Sequence, residues 1–260
     1  MTYRRDSDIW APYARFVPLS NQTTSTSSLN RTKGAWKDKT GWVAWVVSRC
    51  FTHSRREEYV NLLKKHIPVD VFGRCGSKLC DSDCFDRIAK DYRFYISIEN
   101  SLCTDYVTEK FFSRMNDFDA ILIVLQPNNS LGGGYDNYAK IAPENSFIDA
   151  TKFESPEALA QYLKQVGNNE DEFRSFFQWR KKYSISRADF QPFCDLCKKL
   201  HEDDLPRKSY SDIREWWVGG TKPDISTSKA HCHAGAHYGS KGQRQFPAFN
   251  VPYFIHIMGS

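Results

Sequence analysis

The stretch Tyr92-Arg-Phe-Tyr-Ile-Ser-Ile-Glu-Asn-Ser-Leu-Cys-Thr-Asp-Tyr-Val-Thr-Glu-Lys-Phe-Phe112 decides the fold. Its first part, Phe94 to Ile98, is a short apolar and aromatic run broken at once by Asn100 and Ser101, the pattern of a strand that ends in a turn. Its second part opens a helix. Asp105 or Thr104 can cap the free amides of the first turn, and Val107, Phe111 and Met115 recur every four residues as a core stripe. A strand, a polar turn and a helix N-terminus together hold anions well, because backbone N–H groups and the positive end of the helix dipole point outward. Glu99, Asn100, Tyr106, Thr108, Glu109 and Lys110 all fall at or just inside that turn. Glu109 and Lys110 can equally be the solvated face of a helix, but so many polar groups exceed what a plain connection needs.

The flanking sequence repeats the pattern. Trp42 to Ser48 is too continuously apolar to have a wet face, which predicts a parallel strand covered on both sides. Ser54 to Glu57 reads as a capping box for a helix whose buried stripe is Tyr59, Leu62, Leu63 and His66, and Val69 to Phe72 reads as the next strand. This β-α-β unit predicts an α/β fold with a Rossmann-like parallel sheet, in which ligands bind beyond the carboxyl ends of the strands, where Ser48 to Arg56 lies. Arg55 and Arg56 are candidates for phosphate contact, or else the solvated start of a helix. Further on, Ala120 to Leu125 reads as a buried strand and Asn128 to Gly134 as a glycine-rich loop. A helix is expected from Ser155-Pro156, with Leu159, Tyr162, Leu163 and Val166 inside, and another from Glu172 to Tyr183.

The chain has 260 residues, 40% of them hydrophobic, enough for a sizeable core. Its net charge of +5 is modest, and Lys and Arg are interleaved with acids, which argues against nucleic acid as a partner and leaves room for an anionic small substrate. No apolar run approaches the roughly 20 residues that span a bilayer, so the chain as given reads as soluble. Three Asn-x-Ser/Thr sites, at Asn21, Asn30 and Asn128, and eight cysteines hint at a secretory compartment. On that reading an anchor and stem are expected upstream of Met1.

Two constellations have competing readings. Asp6-Ser-Asp8 and Asp81-Ser-Asp83 fit the loose DxD pattern of metal-held sugar diphosphates, a triplet frequent by chance. Cys75, Cys80 and Cys84 cluster in what reads as a loop from Gly73 to Lys90, suited to disulfides; zinc would need a second pair, and Cys194-x-x-Cys197 with His201 is over a hundred residues away. His231, Cys232 and His233 lie in a tail without periodicity, read as irregular.

The central stretch resembles, nearly position for position, the donor-binding signature "FYLxFENSxCxDYITEK" of the α1,3/α1,4-fucosyltransferases, departing mildly at Ser97 and Ile98. Other segments are similar to further parts of that family: Thr2-Tyr-Arg-Arg-Asp-Ser-Asp-Ile9 with Pro12-Tyr13, Ser48 and Arg56 of a "VSNxxxxxxR" pattern, Phe193-Cys-x-x-Cys197, and Tyr210 to Trp217. Arg49 stands where the family has asparagine. The cysteine loop and the Trp216-Trp217 end resemble the invertebrate and plant core enzymes.

The resemblance implies the donor half of a GT-B glycosyltransferase, divided into a remnant of an acceptor domain over 1–19, a linker over 20–40, a GDP-fucose-binding domain over 41–218 and a tail over 219–260. The implied reaction moves L-fucose from GDP-β-L-fucose, with inversion, to a GlcNAc hydroxyl in α1,3 linkage, on the core of an N-glycan, in the Golgi lumen. The membrane would be met only through an anchor outside this chain. The implied donor contacts are Ser48, Arg56, Tyr95, Glu99, Asn100, Tyr106, Thr108, Glu109 and Lys110. Arg56 and Lys110 would meet the phosphates, Glu109 the ribose, Tyr95 the guanine, and Asn100 and Tyr106 the pyrophosphate and sugar. No metal or cofactor is required by that arrangement, and the general base is expected upstream. The alternatives are a catalytically incompetent GDP-fucose-binding fragment and a zinc-stabilised interaction protein.

Overall fold

The computed structural model describes residues 1–19, 36–126, 138–187, 191–205, 208–218, 232–233, 237–238 and 244–245. In chain order the strands are β1 (Arg15–Pro18), β2 (Gly41–Val46), β3 (Val69–Phe72), β4 (Tyr92–Ile96), β5 (Leu102–Cys103), β6 (Ile121–Val124), β7 (Phe147–Asp149), β8 (Tyr183–Ser186), β9 (Cys232–His233), β10 (His237–Tyr238) and β11 (Arg244–Gln245). The helices are α1 (Arg56–Leu63), α2 (Cys84–Asp91), α3 (Glu109–Asp117), α4 (Pro156–Asn168), α5 (Glu170–Ser175), α6 (Gln191–Leu200) and α7 (Ile213–Val218).

Five strands form one parallel sheet in the order β3-β2-β4-β6-β7. Val43 is level with Val69 on one side and Phe94 on the other, Phe94 with Ile121, and Ile123 with Ile148. Val43, Ala44, Phe94, Leu122 and Ile123 are wholly buried, as the unbroken apolar runs require of strands covered on both faces. On one face Val43, Trp45, Phe94 and Ile123 pack with Tyr59 and Leu63 of α1, Leu159 and Leu163 of α4 and Phe173 of α5. On the other, Ala44, Tyr95, Leu122 and Val124 pack with Ile88 of α2, Phe111 and Met115 of α3, and Trp179. The expected α/β, Rossmann-like sheet is therefore present. The chain runs outward from β2 to β3 and then returns to the far side of β2, so the strand order reverses between β2 and β4. Crevices beyond the carboxyl ends of strands at such a reversal are where doubly wound folds take ligands.

Several local expectations need correction. Glu172 to Tyr183 is not one helix: α5 stops at Ser175, a 3-10 turn follows over Gln178–Lys181, and the chain then becomes β8, antiparallel to β1. Phe16 of β1 packs edge-on against Trp179 at 5.3 Å, a long-range contact that local periodicity cannot anticipate. The cysteine segment is not all loop, since α2 buries Cys84 and Ile88. In α1 the buried positions are Arg56, Tyr59, Val60 and Leu63, with Leu62 and His66 only half-buried. Ser54 and Glu57 form no capping box: Glu57 instead accepts from the N–H and hydroxyl of Thr52, at 3.1 and 3.0 Å. The tail is not wholly irregular, because β9 pairs antiparallel with β5. Asn21, Asn30 and the Asn128–Gly134 loop lie outside the described residues.

Disulfides join Cys50 to Cys75 and Cys80 to Cys84, and Cys103 is also disulfide-bonded. Cys75, Cys80 and Cys84 are therefore unavailable to zinc, while Cys194 and Cys197 are free and exposed. No helix among the described residues is long and apolar enough to cross a membrane.

Candidate active site

β4 ends at Ile96, and the next residues carry the chemistry. Ser97 extends the sheet by one bond, its N–H donating to Ile123 O at 2.8 Å, after which the chain passes Ile98, Glu99 and Asn100 and leaves the sheet. The turn is longer than expected. It includes β5 and a left-handed residue, Asp105 (φ 61°), so neither Thr104 nor Asp105 caps the helix. Thr108 does, in extended conformation, its hydroxyl oxygen accepting from Lys110 N at 3.3 Å.

Thr108 also closes a lock around Glu99. Its N–H and its hydroxyl donate to Glu99 Oε1 at 2.8 and 2.7 Å, and Lys110 Nζ donates to Oε2 at 3.0 Å. Glu99 is buried, which pushes its carboxyl up from the ordinary range, and Lys110 and the Thr108 bonds oppose that push. A buried carboxylate with both oxygens satisfied is a support for its neighbours.

The opposite wall comes from the β2–α1 loop. Arg55 is left-handed (φ 52°) and turns the chain into α1, and Ser54 N donates to Asn100 O at 2.9 Å, tying the two loops together across the switch point. Arg56 is only 4% exposed and donates through Nη1 to Ile98 O at 2.6 Å, with its guanidinium 5.6 Å from the Trp45 ring centroid. Burial holds the Arg56 guanidinium below its usual value, and nearby Glu99 and Glu57 raise it. Among the described residues, Arg56 Nε and the buried Oδ1 of Asn100 have no hydrogen-bond partner. Buried polar atoms normally have partners, and these two, on the facing loops, are left with unmet hydrogen-bonding capacity.

The nine residues read from the sequence fall into two groups. Arg56, Glu99, Asn100, Thr108 and Lys110 are brought together by these bonds, and Glu109 follows Thr108 with its carboxylate largely exposed and 3.5 Å from Lys110 Nζ. Tyr106 lies on the same turn, its ring 5.0 Å from that of Tyr3, and burial pushes its phenol well up. Ser48 is exposed at the end of β2, where its carbonyl accepts from Arg74 Nε at 3.0 Å. Tyr95 is placed elsewhere: it sits inside the second core layer, edge-on to Phe118 at 4.9 Å, with its phenol pushed up to about 12 by burial. A ring enclosed in that layer has no open face for a base to stack on.

Sequence reading missed Gln126 and Asp149, at the ends of β6 and β7. Gln126 Nε2 donates to Asp149 Oδ2 at 2.6 Å, and Asp149 Oδ1 accepts from the N–H and hydroxyl of Thr151 at 2.9 and 2.7 Å. Both are buried, and a polar residue directly after an apolar strand was the only signal. The DxD pairs are otherwise engaged: Asp6 with Arg4, Asp8 with Lys208, and Asp81 and Asp83 with Arg87. Among the described residues no group of three or more His, Cys, Asp or Glu is placed to hold a metal ion.

Residues 36–216 match the family model described as glycosyltransferase family 10 (fucosyltransferase) C-term. Alpha-(1,3)-fucosyltransferase C of Drosophila melanogaster is 37% identical over 240 residues, covering 85% of this chain and 54% of that protein. Glycoprotein 3-alpha-L-fucosyltransferase A of the same organism is 33% identical, covering 88% of this chain and 44% of that protein. The chain thus spans about half the length of the curated relatives it matches. In fold it resembles an α1,3-fucosyltransferase crystallised with GDP-fucose, with a TM-score of 0.52 at 16% identity over 70% of this chain and 53% of that one. With the parallel sheet, the switch-point loops and a family match that runs from before β2 into α7, the chain belongs to glycosyltransferase family 10.

Proposed function

We propose that this chain holds GDP-fucose at the switch point and serves an α1,3-fucosyltransferase. The observation that carries the reading is the lock of Glu99, Thr108 and Lys110 at the N-terminus of α3, facing the buried Arg56. Two cations and the first amides of a helix suit a diphosphate, and the relatives' names give the sugar. Lys110 and Arg56 take the phosphates, Glu109 the ribose hydroxyls, and Asn100 and Tyr106 the pyrophosphate and fucose. No metal is assigned, because the cations already oppose the charge that develops on GDP.

In the proposed step a GlcNAc hydroxyl oxygen attacks C1 of the fucose from the face opposite the diphosphate. The bond from C1 to the phosphate oxygen breaks, GDP leaves with the electron pair, and the configuration at C1 inverts. The hydroxyl proton passes to a base outside this cluster, since both oxygens of Glu99 are already occupied. The core GlcNAc of an N-glycan is the proposed acceptor, on the likeness of the cysteine segment and the Tyr210–Trp217 end to core enzymes. Five disulfide-bonded cysteines among the described residues support an oxidising secretory compartment such as the Golgi lumen. Calorimetric titration with GDP, then a transferase assay with GDP-fucose and a core N-glycan acceptor, tests the reading. Absence of GDP binding by the folded chain would sink it.

A further inference from the structure

The tail of the chain returns to the turn that carries the site. It springs from α7, whose Trp217 ring lies 5.2 Å from that of Tyr3, and Tyr3 in turn lies 5.0 Å from Tyr106. Buried Arg4 donates through Nη1 to Trp216 O at 2.7 Å and pins α7 there. The main chain then comes back as β9, antiparallel to β5, inside the turn between Asn100 and Thr108. β10 lies beside α1, the helix that opens with Arg56. Only residues 234–236 separate these two short strands, so one stretch of tail reaches the same two walls that the bond from Ser54 N to Asn100 O joins.

The cysteines fix how that stretch is held. Of the eight, Cys50 pairs with Cys75 and Cys80 with Cys84, Cys194 and Cys197 are free, and Cys103 is disulfide-bonded. Within one chain that leaves Cys232 as its partner. The register agrees, because Cys103 is level with Cys232. Directly opposed residues of an antiparallel pair stand about 4.5–5.5 Å apart at Cα, inside the roughly 4.4–6.8 Å that a disulfide spans.

We infer that a Cys103–Cys232 bridge fastens the tail to the turn and makes it a strap across the two walls, a positioning element for a bound nucleoside diphosphate. The strap role rests on the nucleotide reading above; the bridge does not. In its formation the two thiols give up two protons and two electrons, and the disulfide of a thiol–disulfide exchange carrier in the oxidising compartment takes up both and becomes two thiols. Leu102, beside the bridge, is already buried in a core layer. The bridge removes further freedom from the turn that presents Asn100, Thr108 and Lys110, so less is lost when a ligand binds.

Trypsin digestion of the unreduced full chain, read by mass spectrometry, tests the bridge directly: the peptide of residues 94–110 should appear joined to that of residues 230–241 and separate on reduction. Both peptides unlinked, or Cys103 joined to a different cysteine, overturns the inference. GDP titration then tests the strap. Cys232→Ser, which changes the tail alone, and the double variant Cys103→Ser with Cys232→Ser should each weaken GDP binding by about threefold to tenfold. Cys80→Ser with Cys84→Ser removes a bridge local to the start of α2 and should leave the affinity unchanged, which separates a lost strap from a general loss of stability. Unaltered GDP affinity in the folded Cys232→Ser chain, or an equal loss in the Cys80 and Cys84 variant, overturns the strap. A wild-type chain that shows the bridge but binds no GDP overturns the nucleotide reading and the strap role with it, and leaves the bridge standing.

Discussion

Lys110 Nζ stands 3.0 Å from Glu99 Oε2, and the partners are unequal: the carboxylate side chain is 2% exposed and the lysine 31%. The lysine is held from the inside and open on the outside. A strongly hydrated ammonium with three donors can keep its buried partner and still offer protons to an arriving phosphate.

Lys110→Ala is expected to weaken GDP binding by about ten- to a hundredfold, the usual cost of a charge-assisted hydrogen bond, while Lys90→Ala, on an exposed face, leaves it unchanged. Removing Lys110 also strips Glu99 of its counter-charge, so the folded-state value of that carboxyl rises further. A carboxyl with a raised folded-state value holds its proton longer in the folded chain than in the unfolded one. Stability is then lost as pH climbs above the ordinary glutamate value of 4.5. The deficit of the variant should be larger at pH 8 than at pH 5, which thermal melts at the two pH values would show. A deficit independent of pH would mean that Glu99 is not the group affected.

Tyr95→Phe separates packing from binding. The hydroxyl lies inside the core layer, where the Val46 backbone and the Arg114 side chain oppose the upward push of burial on its phenol. Its loss should lower the melting temperature by the equivalent of about 1 kcal/mol and leave GDP affinity unchanged. A fall in affinity without a fall in stability would return Tyr95 to the nucleotide.

The Cys50–Cys75 bridge spans 25 residues of sequence and pins the loop that carries Arg56 to the turn after β3. Replacing both cysteines with alanine should cost about 3 kcal/mol of stability, by the entropy returned to the unfolded chain. It should also weaken GDP binding, because the loop is then freer. Denaturant titration and calorimetry read the two effects separately.

Lys39 is buried at the foot of β2, its ammonium donating to Ala89 O and Lys90 O at the end of α2, at 2.7 and 3.2 Å. Burial lowers its value from 10.5 to about 8. The unfolded chain therefore binds the extra proton between those two values, and stability rises with pH across that window. Measured against Lys39→Met, the wild-type chain should gain up to about 3 kcal/mol between pH 8 and 10.5. A constant difference between the two proteins would show that Lys39 does not titrate there.

The sheet was legible because its strands are apolar on both faces, and runs such as Trp42–Ser48 and Ala120–Leu125 have no other stable reading. The helix α4 announced itself through Ser155 and Pro156, and Ser155 Oγ does accept from Ala158 N at 3.1 Å. Legibility failed where a distant partner decided the outcome. Tyr183–Ser186 became a strand because β1 pairs with it, and the start of α3 shifted to Thr108 because Asp105 took a left-handed turn. In the site, the order of residues identified the polar set but not the direction of each side chain. Tyr95 and Glu99 lie close together near the end of β4, yet one serves the core and the other the lock. The segment before β1 was visible only as Thr2–Ile9 and Pro12-Tyr13, since nothing local reports that its Phe16 packs on Phe111 and Phe112 of α3.

The β1–β8 pair also sets a schedule. Val17 is level with Ser184, about 165 residues later in the chain. At the usual pace of synthesis, about 5–20 residues per second, roughly ten to thirty seconds pass before Phe16 can meet Trp179. During that interval an aromatic strand with an open edge waits on the nascent chain, a state in which pairing with the wrong neighbour competes with folding. The β1 strand is thus made well before it can be secured, and a helper that shields Arg15–Pro18 would act on yield rather than on stability.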